Sequence, residues 1–291
     1  MSVDVETRAW PAPAGRVRRR PDPVAAATGW LAQRHSLPAE TALLVVLYAA
    51  YDLGRGAVVS GVGAAVAHAH DLYRLERHLH LAIERPVQHA SMAVPGLTVT
   101  FGITYMALHL LLTGVVLLWL HRRHPEGYVL LRTALVVCSV AALVGFIVWP
   151  TAPPRLAGIG VAGTLSQAGV ALNSPTLTVL FNPYAAFPSL HEAYAALTGW
   201  AIRRQARNRV LWLVGGVVMP IWVAVEVIAT GNHFVIDVVA GILTAELGRV
   251  VAVRLHRRAA QRNPAKRSSS GTAAPLRSDA RTNHSCPKNL P

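Results

Sequence analysis

Three short polar stretches interrupt otherwise apolar sequence, and their residue types suit phosphate chemistry. They span residues 149–155, 187–191 and 231–237, and we call them the first, second and third stretch. Polar groups at membrane depth cost so much free energy that a function is the default explanation for them. Arginine, serine, histidine and aspartate together supply a phosphate clamp, a proton donor, a nucleophile and a group that orients it. The set predicts phosphoryl transfer without a metal or another cofactor.

The third stretch contains the candidate nucleophile. His233 and Asp237 stand four residues apart at the start of an apolar segment, so both project from one face of a helix. A carboxylate in that position can hold the imidazole in one tautomer and support its positive charge, which makes His233 a better nucleophile or base. A histidine that only caps the helix and pairs with Asp237 is the alternative, and the pair alone does not decide between the two.

The first and second stretches contain candidate phosphate ligands. Ser189 stands at a predicted helix start after Pro188, with His191 in the first turn. Such a helix end presents free N–H groups to an anion, Ser189 can add a donor, and His191 can deliver a proton to a leaving oxygen. Arg155 offers a planar fork that matches phosphate oxygens. Taken alone, each stretch also has a plainer explanation, an ordinary helix start in one case and an arginine that reaches lipid headgroups in the other.

The elements that position these stretches are predicted to be membrane-spanning helices. Of the 291 residues 53% are apolar and only 14% are charged, which excludes a soluble protein that binds nucleic acid through a charged surface. Six apolar segments are each near the length of about 20 residues that a helix needs to cross hydrocarbon. They lie at roughly 40–60, 97–120, 128–149, 190–205, 210–230 and 234–253. Because only helices and closed barrels satisfy their backbone groups in lipid, we expect an all-α bundle of six transmembrane helices.

The charge distribution predicts how this bundle is oriented. The chain has 28 Lys+Arg against 14 Asp+Glu, and all but five of the basic residues fall where six crossings bring them to one side of the membrane, with Arg132 reaching that side from the end of the third segment. Basic residues mark the cytoplasmic side, so both termini are expected there and the three stretches outside. We expect a plasma-membrane protein with a disordered arm at 1–37, a membrane domain at 38–258 and a disordered basic tail at 259–291.

The connection at 61–96 is predicted to be an extracytoplasmic helix that lies in the membrane interface. Its Leu72, Leu75, Leu79, Ile83 and Val87 recur three to four residues apart with polar residues between them, as in an amphipathic interfacial helix. A metal site is the alternative because five histidines occur here, although no cysteine or carboxylate completes a reliable spacing. Those histidines are His68, His70, His78, His80 and His89.

Other polar residues within the apolar segments have more than one interpretation. Glu226 and Asn232 are possible pocket residues, and Glu226 can instead pair with a neighbouring donor. Asp52 and Arg55 are three residues apart and can pair within one helix. Together with His109, Glu226 and Glu246 they would form the relay of a proton-coupled transporter, which is the alternative from another functional class. The repeated halves or broken helices typical of such transporters are not visible in the sequence.

The three stretches resemble the motifs of a known family. Phe-Pro-Ser-Leu-His-Glu-Ala at 187–193, Gly-Asn-His-Phe-Val-Ile-Asp-Val-Val-Ala-Gly at 231–241 and Pro-Thr-Ala-Pro-Pro-Arg-Leu at 150–156 are similar to those of the type 2 phosphatidic acid phosphatase superfamily of six-helix membrane enzymes. The second and third stretches are most similar to its inositol phosphorylceramide synthase branch. The resemblance extends over about residues 40–255 and includes the segment around Glu76 and Glu84.

This resemblance implies a role for each site residue. It implies that His233 attacks phosphorus and forms a phosphohistidine, that Asp237 orients His233, and that His191 protonates the leaving group. It also implies that Arg155 and Ser189 hold the phosphate oxygens. The expected partners are membrane phospholipids or polyprenyl phosphates and not nucleic acid, while the oligomeric state is left open.

Two departures from the phosphatase pattern favour the synthase branch. Val148 stands where the phosphatases have a lysine, seven residues before Arg155, and Val227 stands where they have an arginine, six residues before His233. With fewer cations the site is expected to prefer a phosphodiester donor and to move a phosphate-containing headgroup, such as inositol phosphate, between lipids. A lipid phosphate phosphatase of the same superfamily is the alternative.

Overall fold

The computed structural model describes residues 34–56, 61–107, 111–164 and 184–262, which form helices joined by turns and loops. His109 and nearly all of the two predicted terminal arms lie outside these residues. The helices are α1 Leu37–Gly56, α2 Val62–His78, α3 Glu84–Met92, α4 Leu97–Ala107, α5 Thr113–Arg123, α6 Pro125–Val148, α7 Leu190–Gln205, α8 Arg209–Leu213, α9 Met219–Ala229 and α10 Val235–Arg262. Within the described residues the all-α prediction is confirmed, because they contain no strand beyond one isolated bridge between Thr151 and Ala185.

Three helical segments of the described chain are long and apolar enough to cross a membrane. They are Leu37–Gly54, Pro125–Val148 and Arg209–Ala229. The predicted segment at 97–120 is divided into α4 and α5, between which some residues lie outside the description, and α7 has only 16 residues. The first 18 residues of α10 carry three charged side chains, Asp237, Glu246 and Arg249. The structure therefore supports a membrane protein, and the count of six spans stays a prediction.

Helix α6 lies at the centre of the bundle and packs against α7 and α10. Leu131, Ala134 and Cys138 of α6 share one buried apolar cluster with Leu197 of α7. A side chain at Gly248 of α10 would come within 2.5 Å of the Ala134 carbonyl oxygen, so the two backbones approach closely there. Small residues at such a contact are typical of helices that pack inside membranes. This packing fixes the ends of α6 and α10, from which the first and third stretches extend.

A buried ion pair holds the beginning of α1 against α6. Arg132 Nη1 donates to Glu40 Oε1 at 2.5 Å and to Oε2 at 2.7 Å, and the Tyr128 hydroxyl donates to the same carboxylate at 2.9 Å. The charge distribution suggested that Arg132 reaches the cytoplasmic membrane surface, and this interpretation is wrong. Its side chain is 0% exposed, because the carboxylate of Glu40 supplies inside the bundle the partner that water would otherwise provide.

The connection at 61–96 contains two helices instead of one, and its polar face points inward. Helices α2 and α3 are separated by a turn in which His80 has φ of 56°. Leu75 and Leu79 are 47% and 53% exposed, whereas Glu76 and Glu84 are buried. The periodicity predicted two faces correctly but not which of them packs on the protein. The inward polar face follows from its hydrogen bonds to the third stretch, and a position in the membrane interface stays a prediction.

The span that contains α8 and α9 is continuous but changes its helical winding. A π-helical segment at Val214–Val218 lies just before Pro220. Proline has no N–H, so the carbonyl four residues earlier, that of Gly216, loses its helical donor. Arg203 of α7 fills this gap, since its Nη1 donates to Gly216 O at 2.6 Å.

Candidate active site

Backbone hydrogen bonds bring the three stretches together, although they are distant in sequence. The amide of Ser189 donates to Asp237 O at 3.0 Å, which joins the start of α7 to the first turn of α10. The amide of Arg155 donates to Gly231 O, also at 3.0 Å, which joins the first stretch to the third. The three stretches therefore lie next to one another in the structure.

The third stretch begins with a tight turn that requires glycine. Gly231 has φ of +71°, a conformation that L side chains rarely adopt. A side chain there would also come within 2.8 Å of the Ala162 carbonyl oxygen. The amides of Asn232 and His233 both donate to Val227 O, at 3.0 and 3.1 Å. The chain therefore turns back over the end of α9 and delivers His233 directly before α10.

His233 and Asp237 lie together at the start of α10. His233 Nδ1 is 3.4 Å from Asp237 Oδ2, longer than an ordinary hydrogen bond, and both side chains are buried. Asp237 Oδ2 also accepts from the amide of Phe234 at 2.9 Å, which fixes the carboxylate. With Nδ1 turned to Asp237, Nε2 is the ring nitrogen at the opposite edge. Catalytic hydrogen bonds are often long before substrate binds, so this geometry suits an oriented nucleophile.

His191 lies across the site from His233. Its ring centroid is 6.0 Å from that of His233, and it stacks on Tyr105 of α4 at 4.1 Å with an interplanar angle of 18°. The stacking restricts rotation of the imidazole. Two histidines at this distance, one in the first turn of α7 and one directly before α10, can contact one phosphate group from two sides.

Arg155 is held at one edge and open at the other. Its Nε donates to Asn232 Oδ1 at 3.0 Å, and Asn232 Nδ2 in turn donates to the Thr230 hydroxyl at 2.8 Å. Among the described residues no acceptor binds the Nη nitrogens of Arg155. Burial lowers the pKa of Arg155, while Tyr105 and Tyr184 nearby raise it, and the guanidinium stays charged at any ordinary pH. Asn232 therefore positions the cation and leaves donors for a phosphate.

Ser189 has a clear structural role. It is the N-cap of α7, where its hydroxyl oxygen accepts from the amide of Glu192 at 3.4 Å. The residue is 0% exposed, and a side chain at Gly241 of α10 would clash with its carbonyl oxygen. The hydroxyl still has a proton to donate, so its predicted contact with phosphate stays a prediction.

Glu226 pairs with neighbours on the side of α9 that faces α4. Glu226 Oε2 accepts from Trp222 Nε1 at 3.0 Å and from the Thr104 hydroxyl. This is the local pairing that the sequence offered as the alternative to a pocket role. Of the other transporter candidates, Glu246 pairs with Arg249 at an exposed position, and the side chain of Arg55 lies outside the described residues.

Two histidines of α2, His68 and His70, contact the first stretch and the turn that follows it. His68 Nδ1 lies 2.8 Å from Pro150 O, and the His68 ring stacks on Trp149 with 4.2 Å between centroids. His70 Nε2 lies 2.7 Å from Ala157 O. Across the described residues no group of three His, Cys, Asp or Glu side chains is arranged to hold a metal ion.

Several residues that build the site have no motif in the sequence. Tyr105 and Tyr184 lie near Arg155, and Gln88 of α3 joins two parts of the site. Gln88 Nε2 donates to Ala162 O at 2.7 Å and to Ala229 O at 3.1 Å, while its Oε1 accepts from the amide of Ala162 at 2.8 Å. In the sequence, Gln88 could have been found only from its spacing to Glu84, because residues four apart lie on one face of a helix.

Comparison with known proteins identifies one family. The family model described as the PAP2 superfamily matches residues 70–251, more than half of the chain, including all three stretches. The chain has no match among curated proteins and none among solved structures. Members of the matched superfamily are phosphatases or phosphotransferases, which supports an enzyme acting on phosphate esters. The narrower resemblance to the inositol phosphorylceramide synthase branch stays a prediction.

Proposed function

The chain belongs to the PAP2 superfamily, and we propose that it transfers a phosphate-containing headgroup, such as inositol phosphate, between membrane lipids through a phosphohistidine. The observation that carries the proposal is the pair of histidines with ring centroids 6.0 Å apart. One member of the pair lies against a buried carboxylate, and the arginine of the first stretch is fixed on the neighbouring residue Asn232.

The reaction we propose has two displacements at phosphorus. Nε2 of His233 attacks, the bond from phosphorus to the donor lipid oxygen breaks, and His191 gives its proton to that oxygen. Asp237 supports the positive charge that develops on His233. In the second step His191 takes the proton of an acceptor hydroxyl, the new oxygen–phosphorus bond forms and the nitrogen–phosphorus bond breaks. His233 is thereby regenerated, and no oxidant, reductant or metal is needed to balance the reaction.

The charge of the site favours a phosphodiester donor. Val148, at the place of the phosphatase lysine, is 69% exposed on the outside of α6. Val227, at the place of the phosphatase arginine, belongs to an apolar cluster with Val223 and Met219. Arg155 is thus the cation that the three stretches supply. Each missing charge-assisted hydrogen bond weakens binding of a dianionic monoester by roughly 1.5–3 kcal/mol, whereas a diester carries a single charge.

Positive potential from the chain itself takes the place of a divalent cation in this proposal. Arg155 and the N-terminal amides of α7 would stabilise the charge on the equatorial phosphate oxygens. The site is proposed to face outward from the plasma membrane, with both termini in the cytoplasm, because the basic clusters alternate with the three stretches along the chain.

Product analysis with the purified protein tests the proposal. Phosphatidylinositol labelled in its phosphate is incubated with membrane lipids, and the labelled products are separated. We expect label in a new lipid and in a phosphoenzyme that His233→Ala abolishes, while expression stays near normal. Release of inorganic phosphate from phosphatidic acid or a polyprenyl phosphate, at rates well above headgroup exchange, would instead establish the lipid phosphatase alternative.

A further inference from the structure

Two buried carboxyl groups from outside the three stretches bind the first turn of α10. Glu76 Oε1 accepts from the amide of Ile236 at 2.8 Å, and Glu84 Oε1 accepts from the amide of Val235 at 3.3 Å. Glu76 belongs to α2 and Glu84 to α3, and both side chains are at most 1% exposed. The proposed reaction gives neither residue a task, so their burial beside the nucleophile needs an explanation.

The two carboxyl groups lie next to each other, because they accept from the amides of consecutive residues and Glu84 raises the pKa of Glu76. Two ionised carboxylates so close together in a buried place would repel, which favours a proton on one of them. The second oxygen of each group, Oε2, is buried and accepts no hydrogen bond from any described residue. A shared proton satisfies both atoms. Glu76 and Glu84 therefore form a pair with one proton and one negative charge.

This pair lies next to the nucleophile. The amides of Phe234, Val235 and Ile236 are bound by Asp237, Glu84 and Glu76 in turn. His233 is the residue immediately before these amides. Any displacement of the two glutamates would shift the direction in which His233 faces His191. One negative charge at this helix start also favours positive charge on the adjacent imidazole.

We propose that Glu76 and Glu84 are positioning residues for His233, acting as one proton-sharing pair that fixes the start of α10 and supports positive charge on the nucleophile. The inference rests on the proposed function, in which His233 attacks phosphorus. No bond of the substrate is made or broken at the pair.

The pair gives the enzyme an upper pH limit. Burial, followed by the neighbouring Glu84 side chain, raises the pKa of Glu76 to about 9, and the charge of Asp237 acts in the same direction. The amide of Ile236 lowers this pKa. The titratable groups facing Glu76 are thus Glu84 of α3 and Asp237 of α10, with His233 beyond the latter. As the pH rises through about 9 the shared proton is lost and two buried carboxylates repel, so kcat falls.

Glutamate-to-glutamine substitutions show whether Glu76 and Glu84 act as one pair that shares a proton or as two independent contacts. In Glu76→Gln the new amide can donate to Glu84 while its oxygen accepts from Ile236, so one negative charge remains, and the same holds for Glu84→Gln. Each single variant should keep kcat within about twofold at neutral pH, because one donor and one charge are retained. The double variant has no charge and should lose roughly 10- to 30-fold in kcat with KM little changed.

The experiment measures kcat, KM and the phosphoenzyme on labelled phosphatidylinositol, with melting temperature as the folding control. Glu246→Gln, at an exposed position of α10, is the matched control and should behave as the wild type. A wild type with no phosphoenzyme overturns the proposed function and this inference together. Additive losses in the two single variants, or wild-type kcat in the double variant, overturn the inference alone.

If the double variant does not fold, the pH dependence of kcat in a single variant tests the proposal instead. The fall of kcat near pH 9 should disappear in Glu76→Gln, because the group that titrates has been replaced by an amide. A Glu76→Gln profile that coincides with the wild type overturns the shared proton. A Glu76→Gln enzyme that stays active above pH 9 supports it.

Discussion

His191, in the first turn of α7, and His233, directly before α10, approach each other to 6.0 Å between ring centroids. The distance is set by backbone contact, because the amide of Ser189 donates to the carbonyl of Asp237 at 3.0 Å and locks the two helix starts together. Two imidazoles fixed in this way can divide the work at phosphorus, one attacking and the other moving protons.

Replacing His191 should slow the first displacement only when the leaving group is poor. In His191→Ala an alkoxide must depart without a proton, so kcat on a lipid donor should fall about 10²- to 10⁴-fold. Nitrophenolate leaves a nitrophenyl phosphodiester without being protonated. The rate of the first burst of nitrophenol should therefore stay close to that of the wild type. Stopped-flow absorbance measures the burst, and equal losses on both substrates would remove His191 from the role of acid.

Replacing Arg155 should reduce binding of the transition state more than the loss of a hydrogen bond between neutral groups would. Arg155→Gln loses the charge-assisted bonds from the Nη nitrogens, which corresponds to roughly 10- to 150-fold in kcat/KM. Arg155→Lys should recover only part of this loss, because an ammonium cannot form the planar fork. Steady-state kinetics with a diester donor measures both variants, and Asn232→Ala should show a smaller loss that reflects positioning of the guanidinium.

Two glycine variants distinguish the effect of backbone strain from that of a steric clash at Gly231. Gly231→Ala places a methyl group within 2.8 Å of the Ala162 carbonyl oxygen, while Gly158→Ala, at the similar φ of +68°, meets nothing within 4 Å. Both should destabilise the protein by about 1–3 kcal/mol through backbone strain. Only Gly231→Ala should also lose activity, because the loop before His233 must move. Thermal unfolding and turnover in the same detergent provide the comparison.

The ion pair between Glu40 and Arg132 should matter for stability and not for chemistry. Glu40→Ala leaves a buried guanidinium without its carboxylate, which costs about 3–5 kcal/mol. The double change Glu40→Leu with Arg132→Leu should recover much of that loss, since no charge is left buried. The free energy of unfolding measures both variants. A single variant as stable as the wild type would show that water reaches Arg132.

Cysteine labelling tests the orientation. Leu156→Cys lies beside Arg155 at an exposed position, and Arg122→Cys lies at an exposed position at the end of α5. In a protein whose Cys138 and Cys286 have been replaced by serine, a membrane-impermeant thiol reagent should label position 156 in intact cells. Position 122 should be labelled only after permeabilisation, and the reverse result would place the site on the cytoplasmic side.

Much of the site could be predicted because its chemistry stands out against apolar sequence. Arg155, His191 and His233 interrupt long runs of leucine, valine and alanine, and such interruptions are costly without a function. Glu76 and Glu84 could not be placed in the same way. They lie in a segment that is polar throughout, and helical periodicity defines two faces without saying which one another element covers.

The partner of a buried charge was equally hidden from the sequence. Arg132 and Glu40 are far apart in the chain, and no local rule connects them. Tyr105 carries no motif and contacts His191 only through the packing of α4 against the bundle. Contacts of this kind depend on how helices assemble, and a single sequence does not encode that assembly in any short pattern.

The contact between Arg203 and Gly216 has a consequence for charge-swap experiments on topology. Arg203 is one of the basic residues that would be neutralised to make the chain insert the other way round. Yet the same guanidinium caps the carbonyl that Pro220 leaves unpaired within the apolar span of α8 and α9. A misfolded product of Arg203→Ala would therefore be indistinguishable from inverted insertion in a simple labelling assay. Arg207 and Arg209 should be changed first, with Arg203 left in place.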